Sequence, residues 1–310
     1  MKAVGVVDFG GPEALRVLEV PEPHAGPGQV RIRVRAAAVN PTDTGLRAGL
    51  RARDGIEPPY VPGMDAAGVV DEIGDGAPAD LSVGDHVMAI VVPRGAHGAY
   101  AEYVVVPAGS VTHAPAGADD VHACTLPMNG LTARRALDLL DPPSGGTVAV
   151  TGAAGAFGGY LVQLAKAAGL RVVADAADRD ESLVAGLGAD IVVRRGDDVA
   201  ARVRGAVPDG VDGLGDGALL DAAVLDAVKD GGRIATVRGY RGPAERGVTW
   251  HPVMVRDYAE DRARLDRLRE QAESGALTCR VADTLPADQA AEAHRRLAAG
   301  GVRGRLVLTF

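Results

Sequence analysis

Cysteine is nearly absent from this chain: Cys124 and Cys279 are the only two among 310 residues. They lie far apart in sequence and outside any CxxC spacing, so neither a disulfide framework nor a cysteine-built zinc site is expected. Aromatic residues are scarce too, at 3%, and the core must be assembled from small aliphatic side chains. Lysine occurs only at Lys2, Lys166 and Lys229. With a formal net charge of −8, the chain lacks the clustered cations that nucleic-acid binding by counterion release requires. The basic run from Arg262 to Arg269 is interleaved with Asp261, Asp266 and Glu270, the pattern of a solvated helix laced with i,i+4 pairs. No stretch of about 20 apolar residues exists, so no membrane-spanning helix is expected. The opening MKAVGVVDFGG has no signal-peptide apolar stretch, and the expected location is cytoplasmic.

What is present is ample apolar material, 47% of the chain, over a length that suits two domains. Short Val-rich runs punctuate the first part: Leu15 to Val20, Val30 to Ala37, Ala66 to Ile73, His86 to Val92 and Tyr100 to Val106. Turn clusters such as EPHAGPGQ separate them, which predicts a barrel-like antiparallel domain. The pattern changes near residue 118. Helical stretches at 119–125 and 131–140 lead into a buried strand at 146–151, a glycine-rich turn, a helix at 159–168 and a strand at 170–174. That is a βαβ unit. A strand at 191–193, helices at 199–207 and 219–229, and a strand at 233–237 continue the alternation, which implies a parallel doubly wound sheet. Two further helices, 262–274 and 287–299, precede a terminal strand at 305–310 expected to return to the first domain. The resulting division is 1–117, 118–250 and 251–310.

The glycine turn reads Gly152-Ala-Ala-Gly-Ala-Phe-Gly158. Placed between a strand and a helix, it suits close approach of backbone amides to a dinucleotide pyrophosphate. Candidate contacts are Gly152, Ala154, Gly155, Ala156, Phe157 and Gly158, with Gly155 and Gly158 allowing the tight turn. A plain strand-to-helix turn is the alternative. Asp175 stands near the place of a ribose-binding acid, which favours NAD. Arg179 could pair with the extra phosphate of NADP.

Several motifs then converge: AAAVNPTDTGLRAG (36–49), PYVPGMDAAGVVDEIG (59–74), VGDHVMA (83–89), GAYAEYVVVPA (98–108), LPMNGLTARRAL (126–137), VAVTGAAGAFGGYLVQLAKAAG (148–169), LGAD (187–190) and KDGGRIATV (229–237). In these the chain resembles the zinc-free quinone oxidoreductase, zeta-crystallin-like branch of the medium-chain dehydrogenase/reductase superfamily. The resemblance implies an α/β protein with a GroES-like β-rich catalytic domain, completed by the C-terminal segment, and a Rossmann cofactor domain. It implies an active site in the cleft between them, a homodimer, and hydride transfer to a small quinone or α,β-unsaturated carbonyl. It also shifts the cofactor-selecting position to Ala176, beside Arg179, which points to NADPH over NADH. Zinc-containing relatives place Cys where this chain has Asn40, His where it has Met64, and a second Cys near Asn129. The resemblance therefore implies no metal.

Carried over on the same motifs, Asn40 and Asp43 line the catalytic cleft, and Thr132 meets the nicotinamide end of the cofactor. The loop Val237, Arg238, Gly239 and Tyr240 passes beside it, with Tyr240 a candidate proton donor alongside Tyr60 and Tyr100. Arg305 is a basic position close to the cofactor. Scaffold alternatives stand beside these: Asn40 bonding turn backbone, Asp43 pairing Arg47, Thr132 back-bonding in its helix, and Asp65 acting as a structural partner. His97, His113 and His251 show no metal spacing. Two departures from the family stand out. Gly45 replaces a common Tyr, and the strand VDGLGDG (211–217), ending on Asp216, is glycine-rich where Val and Leu are usual. Competing functions are an enoyl-thioester reductase, with Arg47, Arg51 and Arg53 as a basic rim, and a non-catalytic NADPH-binding sensor or structural protein.

Overall fold

The computed structural model describes residues 1–50, 55–78 and 80–310. Its first elements are β1 (Lys2–Gly5), β2 (Arg16–Glu19), β3 (Gln29–Ala38), α1 (Pro41–Arg47), β4 (Asp65–Ile73), β5 (His86–Ile90), β6 (Tyr103–Pro107), β7 (Val111–His113) and α2 (Asp120–Ala123). Then come α3 (Pro127–Leu140), β8 (Thr147–Thr151), α4 (Ala156–Ala167), β9 (Arg171–Ala176), α5 (Glu181–Gly186), β10 (Ile191–Arg194), α6 (Val199–Ala206), β11 (Val211–Asp216), β12 (Val228–Thr236) and β13 (Thr249–Pro252). The chain ends with α7 (Arg262–Glu273), β14 (Val281–Pro286), α8 (Ala290–Ala299) and β15 (Arg305–Thr309).

One unit comprises Met1–Met128, Arg256–Ser274 and Cys279–Phe310. Its main sheet runs β14-β15-β3-β4-β5-β7, with β6 also on β3. Strand β3 shows why the sheet has one wet and one dry face. Val30, Ile32 and Val34 are buried while Arg31, Arg33 and Arg35 point away, the period of two that a pleated strand imposes. The buried residues pack with Val104, Val106, Leu306 and Leu308. Truncating a fully enclosed side chain such as Ile32 to Ala would cost about 2–5 kcal/mol. The terminal strand does return here: β15 pairs antiparallel with β3, Leu308 opposite Ala37. The unit extends to Met128, past the break expected at residue 117.

The helix α1 follows β3 after one turn of chain. Asn40 is its N-cap, Pro41 occupies the first turn, and the Asp43 carboxylate reaches back to the Asn40 amide at 2.8 Å. This reciprocal capping satisfies donors that a short helix would otherwise leave open. Arg47 in the last turn complements the helix dipole.

The other unit comprises Asn129–Val255 and Gly275–Thr278. Its six-stranded sheet runs β10-β9-β8-β11-β12-β13, parallel throughout. The reversal of order at β8 marks a doubly wound sheet. The glycine-rich β11 is a full member, hydrogen-bonded to β8 and β12. Its glycines are packing residues. A Cβ on Gly215 would meet Leu161 Cδ2 at 2.2 Å and one on Gly213 would meet Leu140 at 3.2 Å, so bulk moves from the strand to the side chains facing it. The helix expected at 219–229 is instead a 3-10 turn, Asp221–Ala227, and β12 begins at Val228. Positive φ at Leu219 and Asp221, with the Asp221 amide donating to Asp216 at 2.9 Å, prevents an α-helical start there.

Candidate active site

The segment after β3 places Asn40 and Asp43 in a polar cluster otherwise enclosed by apolar side chains. Asn40, Asp43, Asp65, Tyr100, His294 and Arg305 are all buried. Asp65, at the start of β4, accepts from Asn40 Nδ2 at 2.8 Å, from Arg305 at 3.1 Å, and from the Met128 amide at 2.6 Å. Asn40 Nδ2 also donates to the Ala38 carbonyl at 3.2 Å. Asp43 accepts from the Asn40 amide, from the Gly63 amide at 3.1 Å and from the Tyr100 hydroxyl at 3.2 Å. The same hydroxyl lies 3.2 Å from His294 Nε2.

Two carboxyls thus face one guanidinium. Burial raises both above the usual carboxylate range, Asp43 to about 7, where the Asp65 charge adds to the rise and the Asn40 and Gly63 amides and Arg305 oppose it. Burial, with Arg47 adding to it, depresses His294 to about 3, so its imidazole is neutral. Burial beside Asp43 raises Tyr100 as well.

These contacts place the candidate residues among named protein partners. Asn40 has both amide hydrogens engaged by protein groups, so it acts first as a scaffold. Asp43 is held by Asn40, Gly63 and Tyr100 and makes no hydrogen bond to Arg47 among the described residues. Arg305, expected beside the cofactor, is buried, with one terminal nitrogen on Asp65 and on the Val39 carbonyl. Its other terminal nitrogen is buried without a hydrogen-bond partner among the described residues. Tyr60 donates to the Ile56 carbonyl at 2.7 Å, and His97 and His113 contact Val105 O and Asp85; these groups are structural. Arg51 and Arg53 lie outside the described residues, and Arg47 is half-buried.

In the parallel unit the turn from β8 to α4 is built by glycines. Gly152 carries the left-handed backbone, φ 66°. Gly155 is the N-cap at an ordinary extended φ, so its expected role in the tight turn passes to Gly152. A Cβ on Gly158 would lie 2.3 Å from the Gly152 carbonyl oxygen, so helix and turn close up only with glycine there. The first intrahelical bond runs from Gly159 N to Gly155 O, so the amides of Ala156, Phe157 and Gly158 lie ahead of it, where a helix N-terminus attracts phosphate. Asp175 accepts from the Ala153 amide at 3.1 Å. It braces the turn. The end of β9 is then Ala176, with Arg179 exposed at 74%. Arg195 donates its amide to the Ala176 carbonyl at 2.8 Å, because β10 pairs in register with β9.

The loop after β12 turns through Arg238 and Gly239, both at positive φ. It is closed by Thr236 Oγ1 donating to the Tyr240 carbonyl at 2.7 Å, and the Tyr240 ring packs edge-on against Trp250. Thr132 is buried in α3. His251 is held below its ordinary value by burial and by Arg233, Arg241 and Arg135.

Residues 26–116 match the alcohol dehydrogenase GroES-like domain and residues 187–308 the zinc-binding dehydrogenase domain. A quinone oxidoreductase from Lama guanicoe is 29% identical over 334 residues, covering 99% of this chain and 97% of that protein. A chloroplastic NADPH-dependent alkenal/one oxidoreductase from Arabidopsis thaliana is 32% identical, covering 77% of this chain and 63% of that protein. A solved NAD-dependent alcohol dehydrogenase is 32% identical with full coverage of both chains and a TM-score of 0.89. The chain belongs to the zinc-free quinone oxidoreductase branch of the medium-chain dehydrogenase/reductase superfamily.

Asn40 presents a carboxamide and Met64 a thioether. These are poor zinc donors. Among the described residues, no group of three His, Cys, Asp or Glu side chains could hold a metal. No described helix is long and apolar enough to cross a membrane. His294 was the residue least visible beforehand. It shares the buried face of α8 with Ala290 and Ala293, and that helical spacing was the one signal available.

Proposed function

We propose that this chain is an NADPH-dependent reductase that works without zinc and transfers hydride to a quinone or an α,β-unsaturated carbonyl. When bound, the reduced nicotinamide supplies the hydride. The observation that carries the reading is the cradle at Gly152–Gly158 together with the charge at the end of β9. Asp175 is bonded to the turn, Ala176 puts no carboxylate at its own position, Asp178 nearby is paired with Arg194, and Arg179 and Arg195 are the guanidinium groups proposed to meet a 2′-phosphate. Val237, Arg238, Gly239 and Thr132 complete the proposed cofactor contacts.

The acceptor follows from what the site offers. Neither Asn40 nor Met64 provides the Lewis acid that would stabilise an alkoxide. A conjugated acceptor spreads its developing negative charge over its own π system, so hydrogen-bond donors suffice. Tyr240, on a loop whose backbone is fixed by Thr236, is the proposed donor to the acceptor oxygen. Asn40 and Asp43 shape the catalytic loop through the capping pair. The names of the quinone and alkenal/one relatives agree with this acceptor class.

The test is cofactor oxidation by purified protein with a naphthoquinone or a conjugated enone. Turnover with NADPH supports the proposal. Cofactor binding without oxidation by either acceptor would favour a sensor role.

A further inference from the structure

We propose that Gly45, Leu50, Phe9 and Tyr60 form an apolar shelf in the first unit that takes the far ring of a fused-ring acceptor, so that a naphthoquinone-like substrate is preferred over a short acyclic enone. The proposal rests on the reductase reading above and names the acceptor class within it.

The shelf begins where α1 ends. Ala48 is the C-cap and Gly49 turns left-handed at φ 81°. The Gly49 amide donates to the Leu46 carbonyl at 3.0 Å and the Leu50 amide to the Gly45 carbonyl at 2.9 Å. In such a Schellman ending, the residue after the left-handed one commonly rests its side chain on the residue whose carbonyl it bonds. Here that residue is Gly45, which has no side chain to offer. Leu50 is accordingly 83% exposed, and Gly45 stays partly open to solvent. A glycine inside a helix weakens it, and α1 keeps one two residues past Asp43.

Two rings border the same helix end. Phe9 lies against Gly49, where a Cβ would stand 3.0 Å from the Phe9 Cδ2, and the Gly10 amide donates to the Arg47 carbonyl at 3.1 Å. Phe9 stacks on Tyr60 with ring centroids 4.7 Å apart and remains 40% exposed. The Tyr60 hydroxyl is held by the Ile56 carbonyl, so this ring is fixed and contributes only apolar surface. A fixed ring pair beside an exposed leucine suits a flat apolar occupant. Three side chains and a glycine fall far short of the roughly 20–30 residues a side of a stable protein interface. Their scale fits one ring of a small ligand.

The shelf adjoins the candidate catalytic loop. Gly45 lies about 7.5 Å of helix rise from the Asn40 cap. The segment carrying Tyr60 runs on to Gly63, whose amide holds Asp43 at 3.1 Å. A fused bicyclic quinone is long enough to reach from that loop to the shelf, and a short enone is not.

Steady-state kinetics of the whole chain with NADPH, against a naphthoquinone and a short acyclic enone, test this. Gly45→Leu supplies the missing side chain. It is expected to raise the melting temperature, because Leu50 gains a partner and a helical glycine is removed. It is also expected to raise the KM for the naphthoquinone about tenfold with kcat little changed, while the KM values for the enone and for NADPH stay within about twofold of wild type. Phe9→Ala should raise the naphthoquinone KM about three- to tenfold. Should Phe9→Ala not fold, Gly45→Leu carries the test. An unchanged naphthoquinone KM in Gly45→Leu overturns the shelf, and so does an equal rise for both acceptors, which would trace the effect to the catalytic loop. Absence of turnover with every acceptor sinks the reductase reading instead. Whenever the naphthoquinone is not turned over, saturation-transfer NMR of its binding decides the shelf. Binding that Gly45→Leu removes supports it, and binding equal in the two proteins, or absent from wild type, overturns it.

Discussion

The guanidinium of Arg305, in the last strand of the chain, lies 3.1 Å from the carboxylate of Asp65, and both side chains are almost fully enclosed. The pair ties β15 to β4 across β3, the strand between them in the sheet. Removing one partner leaves the other as an uncompensated buried charge. Arg305→Met is therefore expected to lower stability by about 3–5 kcal/mol. The double change Asp65→Asn with Arg305→Met should recover a good part of that loss. Urea unfolding of the two variants checks the ordering.

Stability should also report on Asp43. Its folded value of about 7 lies above the ordinary 3.8, so the folded state binds more protons than the unfolded one in that window. The sign follows: stability from this group is full below about pH 4 and is lost as pH rises through 7. Relative to Asp43→Asn, wild type should weaken by up to about 4 kcal/mol between those limits. His294, depressed from 6.5 to about 3, acts in the opposite sense and costs stability as pH falls below 6.5. Denaturant curves at pH 5 and pH 8 for wild type and Asp43→Asn resolve the first effect. Equal differences at both pH values would contradict it.

Much of this architecture was legible in the residues. The alternation in β3 and the strand–glycine–helix order at Thr147–Ala167 report local periodicity, which sequence carries directly. The failures are non-local. Helical spacing at 219–229 was overridden by the bond between Asp216 and the Asp221 amide. The weak look of β11 vanished because Leu161 and Leu140 fill the space its glycines leave. Arg305 and His294 join residues 240 and 194 positions away, a proximity no spacing rule encodes. Asp175 is bonded to the Ala153 amide 22 residues away, a contact that no local pattern announces.

The glycine cradle gives a sharp binding test. Gly158→Ala places a methyl group 2.3 Å from the Gly152 carbonyl oxygen, which forces the helix start away from the turn. The dissociation constant for NADPH should rise about tenfold or more, a loss of at least ~1.4 kcal/mol. Fluorescence titration of bound NADPH measures it, and unchanged affinity would show that the cofactor does not use this turn.

Cofactor choice should respond to the end of β9. Ala176→Asp adds a carboxylate where the 2′-phosphate is proposed to lie, so the KM for NADPH should rise while NADH is spared. Arg195→Ala should weaken NADPH alone, by about 1–3 kcal/mol for one charge-assisted contact. An equal effect of Arg195→Ala on both cofactors would remove it from the phosphate site.

The most direct measurement is NADPH oxidation, with NADH alongside, against a naphthoquinone and a conjugated enone in the presence of a metal chelator. The account predicts turnover of at least one acceptor, faster with NADPH than with NADH and unaffected by the chelator. Oxidation that the chelator abolishes and zinc restores, or cofactor binding with no turnover of either acceptor, would contradict it.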